Sequence, residues 1–352
     1  MLIQNADLQF VHLPLSIPLR TPHGRLTEFR SLILSLTSSA GTGKAEVPIT
    51  LFPDEDFEYL AGVIDEKILP LLKGQSFSDT QLLREKLGKW SRHAIIYPLV
   101  EMAWYDLQAQ EKNKPLCQIL GAEPISQQVF TSLDEPEMDR DEIPDANEFL
   151  DRIQKLYRAG YVHLELKIRP GWDVAMVREV RQENPGASFH IDFEGALTPL
   201  NYDILFRMRD FFPFMFEQPF APDELVEDAE LQKMLQCPLC LDESISTPGK
   251  AAAALKLEST KLVKINPMRA GGFERAKEIL EICREEGVNC WISSPLSTGV
   301  AVRANLAFSC LNGFTGPFEY YDLMEYFTPE VLKDVEMPPE LALDEEQTLR
   351  IE

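Results

Sequence analysis

From about residue 128 onward the chain repeats one unit: a short apolar run rich in β-branched and aromatic residues, a turn, then an amphipathic helical stretch. Runs at 128–132, 163–168, 188–193, 214–217, 238–241, 261–265 and 289–293 read as strands. Helical periodicity lies between them, for instance at 145–159, 173–183, 201–209 and 274–286. Consecutive βα units make parallel strands, because each helix returns the chain across a sheet face. This many units within about 200 residues favour closure into a barrel over an open sheet.

The residues before this repeat follow a different rule. Short alternating runs at 8–13 and 31–36 flank a polar loop, Arg20-Thr-Pro-His-Gly-Arg25, and read as a hairpin-like sheet edge. Apolar residues at helical spacing follow over 56–73, 78–90 and 97–112. The expected organisation is an α+β capping domain over 1–122, a catalytic barrel over 123–316, and a segment over 317–352 that packs back on the first domain. The stretch 134–145, rich in Asp, Glu and Pro, reads as a surface loop.

A formal net charge of -23 repels phosphate backbones, and no basic stripe interrupts it, so nucleic acid is an unsuitable partner. Six scattered cysteines read as reduced core thiols of a cytoplasmic protein, including the Cys237-Pro-Leu-Cys240 pair, which lacks a second pair for zinc. No basic-then-apolar leader opens the sequence, and no stretch approaches the ~18 apolar residues of a membrane span. Homo-oligomerisation is left open by the sequence.

Barrels of this kind do their chemistry at the carboxyl ends of the strands. Three consecutive candidate strands end in acid, at Asp192, Glu217 and Asp242, each 25 residues from the next, about one βα unit. Three carboxylates side by side on a rim suit a hard divalent cation, with positions left for water and substrate, better than zinc, which favours His or Cys. Lys167 ends the preceding strand, and alternation puts Glu165 on the same face. A lysine beside a bound cation has its charged form disfavoured and so can serve as a general base. His190 points the same way as Asp192 and reads as a core or supporting histidine.

The runs Ala103-Trp-Tyr-Asp106, Leu166-Lys-Ile-Arg-Pro-Gly-Trp-Asp173, Phe216-Glu-Gln-Pro219, Leu241-Asp-Glu-Ser244 and Asn266-Pro-Met-Arg-Ala-Gly-Gly272 occur in an order that resembles the muconate-lactonizing subgroup of the enolase superfamily. The resemblance covers nearly the whole chain. It implies an α/β fold, a modified TIM barrel of (β/α)7β form with an N-terminal capping domain. It also implies Mg²⁺, with Mn²⁺ as a substitute, on Asp192, Glu217 and Asp242, and acid/base work by Lys167.

Four positions depart from the subgroup's pattern. Glu165 stands where a first lysine is usual, Glu194 where Asn is usual, Asn266 where a lysine precedes Pro, and Ser297 where glutamate is frequent. Lys264, two residues before Asn266, either reaches the substrate as a second catalytic lysine or pairs with Glu165 and Glu194 inside the barrel. Arg20, His23 and Arg25 lie in the loop that in the subgroup closes over substrate, where an arginine would hold a distal carboxylate, a solvated loop being the alternative.

The implied chemistry is removal of a proton α to a carboxylate of a small-molecule substrate. Racemisation needs a base on each face of the carbon, and the usual second lysine is missing at Asn266. A syn dehydration uses one lysine twice. That favours a lyase of the o-succinylbenzoate synthase branch, a step of menaquinone biosynthesis, and Ser293-Ser294 resembles a pair found in some of these synthases. Isomerases acting on dipeptides or N-acylamino acids are the runner-up, and a diverged member with a binding role is the alternative of another class.

Overall fold

In the computed structural model the described residues are 2–21, 24–134, 146–168 and 173–351. The amino-terminal part is an antiparallel sheet of β1 (Asn5–Thr21), β2 (Gly24–Thr37) and β3 (Thr42–Pro48), in that order. Helices at Phe57–Val63, Thr80–Leu87 and Ile96–Lys112 follow, the first two opened by the Asp56 and Asp79 carboxylates accepting from Tyr59 and Leu82 N–H groups. The 96–112 helix packs along β3 so closely that a Cβ at Gly43 would meet Leu107 N at 2.1 Å.

Eight parallel strands then follow one another: β4 (Gln127–Asp134), β5 (His163–Lys167), β6 (Phe189–Asp192), β7 (Phe216–Glu217), β8 (Leu239–Leu241), β9 (Leu262–Ile265), β10 (Asn289–Ile292) and β11 (Phe318–Glu319). Helices at Ala146–Ala159, Asp173–Glu183, Tyr202–Met208, Leu225–Met234, Pro248–Leu257, Phe273–Glu285 and Gly299–Ser309 connect them. In the 273–285 helix, Phe273, Ala276, Ile279, Leu280 and Cys283 are buried, one face at helical spacing.

The ladder runs unbroken from β10 back to β4, and β11 pairs the free side of β4. Between β10 and β11 the pairing reduces to a bridge of Cys290 with Phe314 and a Thr315 N–H bond to the Cys290 carbonyl. While the order of eight strands and seven helices is the expected (β/α)7β one, a continuous closing ladder between β10 and β11 is therefore not detected among the described residues. The cause lies at Gly316-Pro317: the glycine lies flat against the Trp291 ring, where a Cβ would come within 2.2 Å, and proline has no N–H to donate.

The carboxyl-terminal segment does two things. A short helix, Leu323–Tyr326, lies against β1, and Phe327 packs edge-on against Phe29 at 5.7 Å. Beyond it, β12 (Ala342–Leu343) and β13 (Leu349–Ile351) form a hairpin whose second strand pairs β4 antiparallel. The eighth parallel strand itself falls at 318–319, inside the segment expected only to return to the first domain.

Two buried glutamates from the amino-terminal part cap helices of the parallel part. Glu46 accepts from Thr298 N–H, Thr298 Oγ1 and Ala301 N–H at 2.7–3.1 Å, at the start of the 299–309 helix. Glu101 accepts from Phe273 N–H at 2.7 Å and Glu274 N–H at 3.1 Å, where the helix dipole favours an anion. Gly272 makes room for it, since a Cβ there would stand 2.4 Å from Glu101 Oε2.

Candidate active site

Parallel register places the expected rim residues next to one another. Lys167 pairs with Asp192, and Asp192 with Glu217, so β5, β6 and β7 end level. Alternation then sorts the interior into layers. Phe130, Met215, Cys240, Leu262 and Trp291 form a separate apolar cluster. Ser132, Glu165, His190, Glu217, Lys264 and Glu319 form a buried polar layer, all at most 4 % exposed. Lys167, Asp192, Glu194, Asp242 and Arg269 form the rim.

Lys167 is the centre of the rim. Its Nζ lies 2.8 Å from Asp192 Oδ2, 2.9 Å from Glu194 Oε1 and 3.1 Å from Glu165 Oε1. Burial works against its charge, but these three carboxylates outweigh burial and hold the ammonium well above the ordinary lysine range. Asp192 also accepts from the Glu194 N–H at 2.8 Å, a turn that holds Glu194 at a left-handed φ of 47°.

Lys264 lies one layer deeper and is 2 % exposed. Its Nζ is 2.6 Å from Glu165 Oε2, 2.9 Å from Glu217 Oε2 and 3.8 Å from Glu319 Oε2. Of the two roles open to it, the geometry is that of an internal ion pair, made with Glu165 and Glu217; Glu194 pairs with Lys167 instead. Burial disfavours the Glu165 anion, yet Lys264, Lys167 and His190 hold its carboxyl well below the usual range. His190 Nε2 stands 3.0 Å from Glu165 Oε2 and from Glu217 Oε2.

Glu217 is the exception in this layer. Its Oε2 is buried and has no hydrogen bond, the Lys264 and His190 contacts being close but poorly aligned. Burial and the neighbouring Asp192, Glu165 and Asp242 carboxylates push its proton affinity well up. Asp242 meets Arg269 Nη1 at 2.5 Å and accepts from Ser293 Oγ at 3.2 Å.

The remaining expected residues serve the walls. Asn266 caps the 267–270 turn of helix by accepting from Arg269 N–H at 3.0 Å, and donates to the Ser293 carbonyl at 2.9 Å. Ser294 N–H donates to Glu319 Oε2 at 2.8 Å, and its hydroxyl meets Asn305 Nδ2. Ser297 Oγ is buried without a hydrogen-bond partner. His23 lies outside the described residues, as does the side chain of Arg20. A cavity of about 490 Å³ opens over the rim, lined by Thr50 to Glu55 of the amino-terminal part together with Glu194, Glu243 and Arg269.

Glu319, Arg269 and His163 join the site without having been singled out as such by the sequence, and His190, read there as a core or supporting histidine, stands against Glu165 and Glu217. Arg269 was visible inside the Asn266–Gly272 run, and Glu319 sits in an apolar Phe-Glu-Tyr-Tyr stretch where a lone acid is a signal.

The donor set fits a divalent cation. Seven carboxylates (Glu165, Asp192, Glu194, Glu217, Asp242, Glu243 and Glu319) face three cations, Lys167, Lys264 and Arg269, leaving an excess of negative charge around an orphaned Glu217 oxygen. Among the described residues, Glu165, His190 and Glu217 are the set of three whose ligand atoms all lie within 4.8 Å of one another, and that buried group could hold a metal ion.

Comparison with known proteins agrees with this architecture. The model of the "Enolase C-terminal domain-like" family matches residues 148–345. The chain is 29% identical over 337 residues to an N-succinylamino acid racemase of Thermus thermophilus, covering 95% of this chain and 89% of that one. It is 30% identical over 340 residues to an o-succinylbenzoate synthase of Enterococcus faecalis, covering 94% and 90%. A solved structure of an unknown member of the enolase superfamily from Enterococcus faecalis superposes with a TM-score of 0.82 at 28% identity, covering 100% of this chain and 92% of that one. With the parallel strands, the capping sheet and these matches together, the chain belongs to the enolase superfamily, as an α/β enzyme whose relatives are lyases and isomerases.

Proposed function

We propose that this protein is a Mg²⁺-dependent lyase that removes a proton α to a carboxylate and expels a hydroxyl from the same face, the reaction of o-succinylbenzoate synthesis. The observation that carries this reading is the position of the lysines. Lys167 is at the rim, whereas Lys264 is held beneath it by Glu165 and Glu217. Around Asp242 stand Ser293 and the Arg269 guanidinium, with Asn266 bonded to the Ser293 carbonyl and the Arg269 N–H, and none of these is a base at neutral pH. One base on one face suits a syn elimination, while racemisation needs a second.

Asp192, Glu217 and Asp242 would hold the cation, which supplies positive charge where the substrate carboxylate gathers electron density. Lys167 acts as base once Asp192 is engaged elsewhere, since that removes one of the three carboxylates holding its proton. Its Nζ takes the proton from the α carbon and returns it to the departing hydroxide, so that water leaves and the ring becomes aromatic. Arg269 fixes Asp242, and residues 50–55 line the cavity together with Glu194, Glu243 and Arg269.

The similarity to an N-succinylamino acid racemase favours a second reading, an isomerase of N-acylamino acids. Proton NMR separates the two. The cyclohexadiene carboxylate precursor is mixed with protein and Mg²⁺, in parallel with an N-succinylamino acid in D₂O. Aromatic product that is absent with Lys167→Ala and Asp242→Ala supports the lyase. Deuterium at the α carbon with racemisation and no aromatic product overturns it. Loss of neither signal in Lys167→Ala rejects both.

A further inference from the structure

Two of the six free cysteines meet at the joint between the two parts of the chain. Cys117 lies in a short helix, Leu116–Leu120, on the stretch that leads from the amino-terminal part into β4, and Cys310 ends the Gly299–Ser309 helix that follows β10. The two helices pack against each other. Both thiols line one cavity of about 470 Å³, which shares no lining residue with the cavity over the rim. Within it the Cys117 and Cys310 thiols hydrogen-bond to one another.

The backbone holds each sulfur in place. Gly121, at a left-handed φ of 98°, ends the 116–120 helix, its N–H bonded to the Gln118 carbonyl at 3.2 Å and the Ala122 N–H to the Cys117 carbonyl at 2.8 Å. Cys310 donates through Sγ to the Leu306 carbonyl at 3.3 Å, one turn back on its own helix. Ala304 and Ala307 of that helix also line the cavity, and such small side chains leave room for a small molecule. Cys117 is 4 % exposed, whereas Cys310 is only partly buried, so an oxidant entering from solvent meets Cys310 first. Burial, and after it the neighbouring Cys310, push the Cys117 thiol up and keep it protonated. Cys283 and Cys290 also hydrogen-bond to one another, but both are fully buried and neither lines this cavity.

We propose that Cys117 and Cys310 are a redox-active dithiol that a small hydroperoxide converts to a disulfide, tying the amino-terminal part covalently to the 299–309 helix. The Cys310 thiolate attacks one peroxide oxygen: an S–O bond forms, the O–O bond breaks, and the leaving oxygen takes up the proton as an alcohol, or as water from hydrogen peroxide. The Cys117 sulfur then attacks the Cys310 sulfur. An S–S bond forms, the S–O bond breaks, and hydroxide leaves as water with the Cys117 proton. The two thiols have lost two electrons and the peroxide has gained them. The link closes a loop of more than half the chain, and long loops are those whose closure restricts the unfolded state most.

The test adds hydrogen peroxide to the folded protein, alkylates the remaining thiols, and maps the unreduced digest by mass spectrometry beside a thermal melt. The expected result is a peptide pair joined through Cys117 and Cys310, two hydrogens lighter than the separate peptides, and a melting temperature higher by ~4–16 °C. Dithiothreitol should reverse both. Both should be absent in Cys310→Ser and in Cys117→Ser and kept in Cys237→Ser. The mapping of the unsubstituted protein needs no variant, so a serine variant that fails to fold leaves the test intact. Cys310 recovered as sulfinic acid with Cys117 still a thiol overturns the proposal, as does a link between two chains or one that forms only in urea. Two unreacted thiols after peroxide treatment overturn it as well.

Discussion

Replacing Lys264 by methionine should cost stability rather than chemistry, and the structure sets the size of the effect. The ammonium is within 2.9 Å of one oxygen each of Glu165 and Glu217, and all three side chains are buried. Removing one partner of a buried ion pair typically costs about 3–5 kcal/mol, because the charge left behind has lost its compensation. Glu165 keeps Lys167, His190 and Ser132, whereas Glu217 keeps only a poorly aligned His190, so most of the loss falls on Glu217. At the about 2–4 °C per kcal/mol found for chains of about 150–250 residues, the melting temperature should fall by ~6–20 °C. Differential scanning calorimetry at pH 7 measures this. Adding Mg²⁺ should restore part of the loss, since binding to the folded state alone stabilises it. A loss below about 1 kcal/mol with turnover abolished would refute the reasoning and make Lys264 a base instead.

Lys167→Ala should lower any proton abstraction by at least ~10²–10⁴-fold in an α-deuterium exchange assay while leaving unfolding cooperative. Asp228 is buried with both oxygens lacking hydrogen bonds, and burial, with Glu224 and Glu227 nearby, pushes its carboxyl up to about 8. The folded state therefore holds a proton that the unfolded chain releases from about pH 4, so stability is lost as pH rises from there through about 8. At ~1.36 kcal/mol per pH unit that loss is at most about 6 kcal/mol. Asp228→Asn should flatten urea-unfolding stability between pH 5 and 9, and an unchanged slope would count against it. Gly272→Ala should destabilise by more than the ~1 kcal/mol typical of point changes, because φ is 108° and the new Cβ would stand 2.4 Å from Glu101 Oε2. Thermal melts of Gly272→Ala beside Gly272→Ala/Glu101→Ala would show partial recovery in the double variant if that contact is the cause.

The strands that build the site were legible because each is a run of β-formers ending in a charge: His-Leu-Glu-Leu-Lys over 163–167 and Phe-His-Ile-Asp over 189–192 fall within one residue of the spans 163–168 and 188–193 that their pattern implied. Three features escaped. β3 escaped because Thr42–Pro48 begins Thr-Gly-Lys and alternates weakly, its burial coming from the 96–112 helix and not from its own pattern. β11 escaped because two residues carry no period, and its identity is set by pairing with Val129 and Phe130, far away in sequence. The role of Lys264 could not be fixed by strand register alone, since the ~6.6 Å that separates it from Asn266 along the strand is within reach of a lysine stem. Only the positions of Glu165 and Glu217 around its Nζ decide that it points down and not up.

That placement also connects substitutions that looked independent in the sequence. A carboxylate at 165 in place of the subgroup's lysine is a buried charge, and a lysine at 264 adds a second cation to it at 2.6 Å, beside Lys167 at 3.1 Å. With Lys264 committed to that pair, an asparagine at 266 no longer competes for the same carboxylates, and its amide is free to cap the following turn and hold the Ser293 carbonyl. Glu194, the third departure, then meets Lys167 on the opposite side of the rim. The charges form one connected pattern: a cation one layer down on β9, and carboxylates gathered around Lys167 at the rim. Reverting Asn266 to lysine alone should therefore not install a second base. It would add a cation beside Asp242 and Arg269 while removing the cap, and chirality loss of an N-succinylamino acid should stay at background until Lys264 and Glu165 are exchanged with it. Racemisation by the single Asn266→Lys variant, measured by polarimetry, would show that the layers act independently and that this linkage is wrong.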